Sequence, residues 1–191
     1  MLNHLGTALR VTIVSIVLLG LVYPLAMTGI AQALFPWQAN GSLIVANGRT
    51  LGSAIVGQLW AKPQYFQGRP SAAGKGYDPT STGGTNLGPT SKKLIATTKA
   101  TIAALRKENP RAGGPPPMDL VTSSGSGIDP DISPAAAYWE AARVASARHM
   151  SAAAVDALIA QHTRGRTFGF LGEPRVNVLE LNLALDGIKP Q

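Results

Sequence analysis

From Val11 to Phe35 the chain reads VTIVSIVLLGLVYPLAMTGIAQALF without one charged residue. The remainder mixes short apolar groups with Gly, Pro, Ser and Thr. About 20 apolar residues suffice for a helix to cross a hydrocarbon core of roughly 30 Å, so a transmembrane helix is expected over 11–35. Pro24 is tolerable inside such a helix, and Phe35 and Trp37 stand where a headgroup belt would lie. A cleaved signal peptide is the alternative, with Arg10 ending an n-region, Val11–Val22 as apolar core and Ala31-Gln32-Ala33 as an A-x-A site. The apolar run outlasts the roughly 7–15 residues of such a core, which favours the span. Arg10 precedes it, and the first basic residue beyond it is Arg49. Residues 1–10 are therefore expected in the cytoplasm and 36–191 outside it.

The pattern after the span predicts one mixed α/β domain of α+β class. Ser42–Trp60 carries β-branched runs on both sides of Asn47-Gly48, a pair suited to a tight hairpin turn. Lys62–Pro89 has no helical period and reads as a long loop, which Tyr65, Phe66 and Tyr77 are expected to pin to a core or a partner. Thr90–Glu108 is an amphipathic helix with Leu94, Ile95, Ile102 and Leu105 on one side. Asp119–Thr122 reads as a short strand. Ser133-Pro134 fits N-cap then N1 of a helix running to about His149, and Ser151 starts another with Val155, Leu158 and Ile159. Asn177-Val178-Leu179-Glu180 has capping-box form, so Val178–Asp186 reads as helix ending at Gly187. The alternation of Leu179, Leu181, Leu183 and Leu185 leaves a strand as the alternative.

Charge changes the picture modestly. Seventeen Lys and Arg against ten Asp and Glu give a net +7, which favours anionic partners such as lipid headgroups or an acidic protein face. Only 14% of residues are charged, low for a free soluble surface, so part of the surface is expected to be covered. Cysteine is absent, which excludes disulfides, thiolate metal sites and Cys nucleophiles.

Chemical templates fit poorly. Ser124-Gly125-Ser126-Gly127-Ile128 lacks the flanking glycines of a G-x-S-x-G elbow, and no third glycine completes a dinucleotide fingerprint. Asp129, Asp131 and Ser133 are turn and cap formers. His4, His149 and His162 lack the spacing of a zinc pair, and Asp78, Asp129 and Asp131 do not make a calcium loop, so no metal and no catalytic residue is assigned. Ser81-Thr82-Gly83-Gly84-Thr85-Asn86 offers backbone N–H groups that suit either a phosphate nest or an ordinary turn.

GQLWAKPQYFQGRPSAA (57–73), STGGTNLGPTS (81–91), DLVTSSGSGIDPDISPAAA (119–137) and GEPRVNVLELNLALD (172–186) together resemble the C subunit of the bacterial high-affinity potassium-transporting P-type ATPase, the Kdp complex. The resemblance spans the chain. It implies a non-catalytic subunit of a pump in which another chain hydrolyses ATP and a third conducts K⁺. This chain has no D-K-T-G phosphorylation motif and no T-V-G-Y-G filter run of its own. The resemblance further implies a catalytic chaperone that raises the ATP affinity of the hydrolysing subunit. Its nucleotide contact would be Ser81, Gly83, Gly84 and Asn86, with ATP as the ligand. A domain outside the cytoplasm cannot meet ATP, so that contact conflicts with the topology expected here. Expected partners are the two larger subunits and membrane lipid, not nucleic acid. The competing function class is a tethered or secreted serine hydrolase using Ser124 or Ser126 with His149 or His162.

Overall fold

A computed structural model describes residues 2–188. Met1 and residues 189–191, the outer ends of the expected 1–10 and 36–191 segments, lie outside them. The chain divides into two compact units, Met1–Leu43 and Ile44–Gln191.

The first unit is a long helix, α1 (Leu2–Ser15) passing through a π-helical stretch, Ile16–Val22, into α2 (Tyr23–Leu34), then a single turn, α3 (Pro36–Ala39). His4–Leu34 is long and apolar enough to cross a membrane, and none of its most apolar window is buried. Helix therefore begins earlier than the apolar run does. The π stretch has a cause in Pro24. Its ring would collide with the carbonyl four residues back, and it has no N–H to donate there. Wider turns avoid the collision: Tyr23 N–H bonds Leu18 O, five residues back, and Thr28 Oγ1 donates to Pro24 O at 2.8 Å.

At the start of the second unit, β1 (Leu43–Ala46), whose first residue closes the first unit, and β2 (Arg49–Ser53) are paired through Asn47-Gly48 at φ +52° and +71°, as the turn pair predicts. The strands stop at Ser53, short of Trp60. After the loop come α4 (Lys92–Glu108) and α5 (Met118–Val121), then β3 (Asp131–Ile132) and α6 (Pro134–Arg148). α7 (Ala152–His162), β4 (Thr163–Arg164), β5 (Arg175–Asn177) and α8 (Val178–Leu185) complete it. Ser91, Ser133, Ser151 and Asn177 each cap the helix that follows, accepting the N–H three residues on. α8 settles the leucine alternation in favour of helix. Its capping box is half made, because Glu180 turns its carboxylate to Arg164 at 2.6 Å.

One expectation needs correction. Asp119–Thr122 is not a strand: Met118–Val121 forms one helical turn closed by Thr122 N–H on Met118 O. A turn buries Leu120 and Val121 together at 3% and 5% exposure, whereas strand alternation would send one of them outward. The antiparallel sheet β3-β5-β4 was not legible, its strands being only two or three residues long. The core gathers α6, α7, α8 and this sheet around Phe66, Val144, Val155, Ile159, Val176 and Leu181, each fully buried. A smaller cluster joins Ile44 and Ala54 to Leu179 and Leu183.

Candidate functional site

The long loop is an ordered part of the domain. Asn182, buried on α8, clamps Phe66 from both sides: its Oδ1 accepts Phe66 N–H at 2.8 Å and its Nδ2 donates to Phe66 O at 2.9 Å. Arg143 donates to Pro63 O and Tyr65 O, and Arg148 donates to Gln64 O and to Asp186 at 2.7 Å. The Arg148 guanidinium also lies over the Tyr65 ring at 4.8 Å. Tyr65 donates its hydroxyl to Asp186, and that bond raises its pKa. Gln67 N–H donates to Glu140, an acid 1% exposed that pairs with Arg143 at 2.7 Å. Burial outweighs the guanidinium, and the carboxyl is pushed up to about 7. Its Oε1 has no partner.

Further along, the loop and the chain just before it pack against the backbone of the glycine-serine stretch. Gly83 N–H donates to Ser126 O at 2.8 Å, Ser71 Oγ donates to Gly127 O, and Gly57 N–H donates to Ile128 O. Gly127 sits at φ +73°, and a Cβ there would meet Gly83 O at 2.7 Å and Ala73 N at 2.9 Å. Glycine is therefore required at 127 by both conformation and space. Arg69 bridges to Asp129 at 3.1 Å, and Tyr77 donates its hydroxyl to Arg69 O. Burial pushes the Tyr77 phenol up to about 12.

This geometry says what the sequence candidates do. Ser124 Oγ accepts Gly127 N–H at 2.9 Å and Ser126 Oγ accepts Ile128 N–H at 3.2 Å, both as turn makers. Among the described residues neither hydroxyl bonds a histidine. His149 ends α6 in the left-handed region, and His162 bonds Leu158 O. Gly84, with Thr85, Lys93, Thr97, Thr101 and Ser123, lines a cavity of about 390 Å³. Ser81 and Asn86 are exposed, Asn86 at φ +53°. Of the four residues named for a nucleotide, only Gly84 reaches that cavity, and Gly83 has its N–H occupied by Ser126. Among the described residues no three His, Asp or Glu side chains gather as around a metal ion.

The feature that sequence reasoning missed is the projection between β4 and β5. Every residue from Arg164 to Pro174 is exposed, and Phe168, Phe170 and Leu171 are 84%, 69% and 49% so. The signal was available in Phe168-Gly169-Phe170-Leu171 lying between turn residues.

Residues 5–187 match the family described as "K+-transporting ATPase, c chain". The potassium-transporting ATPase KdpC subunit of Koribacter versatilis is 54% identical over 100% of this chain and 97% of its own length. That of Acidobacterium capsulatum is 56% identical over 97% of this chain and 98% of its own, and that of Caulobacter vibrioides 56% over 100% and 96%. Identity at this level, across the candidate span, the clamped loop and the capped helices alike, means that the chain belongs to the KdpC family, an accessory subunit of the potassium-transporting ATPase.

Proposed function

We propose that this subunit is anchored by the helix His4–Leu34 with its amino terminus in the cytoplasm, and that it holds the domain of residues 44–191 against the pump's larger subunits outside it. The observation that carries the reading is an exposed apolar helix, free of charge from Val11 onward, joined to a domain in which Ser124, Ser126 and Gly83 are occupied in internal hydrogen bonds. A helix apolar on every side is stable in lipid and unstable in water. The domain stabilises the assembled complex of ATP-hydrolysing and potassium-conducting subunits. Any gain in ATP affinity, the chaperone role, then passes through those subunits. Direct nucleotide contact at Ser81, Gly83, Gly84 and Asn86 has less support, since Gly83 N–H already serves Ser126.

Protease added to intact spheroplasts should cut the domain, and the potassium-stimulated ATPase of complexes lacking this chain should need more ATP for half-maximal rate. Protection of the domain until lysis would overturn the topology. An unchanged ATP requirement would remove the chaperone role.

A further inference from the structure

The β4–β5 projection breaks a local rule that the same chain obeys elsewhere. Thr167 and Leu171 bridge, each donating its N–H to the other's carbonyl at 2.9 Å, and Phe168 and Gly169 between them have φ of +55° and +83°. The β1–β2 turn meets the same demand with Asn47-Gly48, residues that enter the left-handed region cheaply. Here the first position is a phenylalanine. It strains the backbone, and at 84% exposure it gains almost nothing from the domain's own core. A residue that costs the fold and is not buried by it points to an external partner.

The projection is also pre-ordered. Arg166 pairs with Glu173 across it at 2.6 Å, and Arg164 ties its base to Glu180 on α8. The charges identify the partner. A lipid surface would be met by unpaired cations beside the aromatics, yet Arg164, Arg166 and Arg175 are each matched by a carboxylate, the last by Asp131 at 3.2 Å. What the tip presents is apolar and locally neutral. We infer that Phe168, Phe170 and Leu171 form a docking prong that inserts into an apolar pocket on another subunit of the pump. The inference rests on the docking role proposed above and locates it.

The test uses the full chain expressed with the rest of the pump. Phe168→Asn should keep or raise the chain's melting temperature, because Asn suits the left-handed turn. Recovery of the other subunits per copy of this chain should fall by about tenfold or more, as for an aromatic anchor. A photoreactive phenylalanine analogue at position 168 should cross-link to another pump subunit. Undiminished recovery with Phe168→Asn, or adducts only with lipid or with a second copy of this chain, overturns the prong while leaving the docking role standing. Failure of the unsubstituted chain to recover any pump subunit overturns both.

Discussion

Glu140 shows how one residue couples the loop to the helices and to pH. Its carboxylate is buried with Arg143 and Gln67 N–H on Oε2 and nothing on Oε1, and Glu108 adds repulsion, so the folded domain holds the proton up to about 7. The unfolded chain releases it near the ordinary glutamate value. Between those limits the folded state binds more protons, so stability falls as pH rises through that window and levels off above it, by on the order of 3 kcal/mol. Glu140→Gln should flatten this fall, measured by chemical denaturation at pH 5 and pH 8, since the amide oxygen still accepts from Gln67. Asn182→Ala should cost about 2–4 kcal/mol by the same measurement, because it leaves both backbone groups of Phe66 buried and unpaired. Neither role was legible in the sequence. A glutamate in an alanine-rich helix reads as a solvated face, and only the loop folding back across it makes it a buried acid.

At the scale of elements, local rules worked for helix starts and for the tight hairpin turn. The caps at Ser133, Ser151 and Asn177 and the Asn47-Gly48 turn were all readable, because the donors they satisfy are next to them in the chain. Ser133→Ala should therefore cost about 0.5–2 kcal/mol of domain stability. The glycine-serine stretch makes a sharper contrast. Gly127→Ala forces a Cβ into the Gly83 carbonyl at positive φ and should separate the two loops, with a large drop in melting temperature. A Cβ on Gly125 meets nothing within 4 Å, so Gly125→Ala should be nearly silent. The sequence shows a glycine at each position without showing which one the fold requires. The difference arises from a loop some 40 residues away.

For the whole molecule, both hydrophobic clusters lie between Ile44 and Ile188. A fragment starting at Gly41 should accordingly be soluble and unfold in one cooperative transition, with coincident melts by circular dichroism and tryptophan fluorescence. Broad or probe-dependent melting would mean that the domain needs the span or a partner subunit to fold.

The candidate span, the α+β class, the capped helices, the tight hairpin and the family were determined by the sequence itself. Their signals are local periodicity, turn chemistry and long shared motifs, none of which depends on distant contacts. Tertiary structure alone decided that Met118–Val121 coils, that residues 62–89 are clamped by Asn182, Arg143 and Arg148, and that Phe168 is left in solvent. Each of these depends on groups tens of residues apart competing for burial and hydrogen bonds, and that competition is resolved only when the chain is folded.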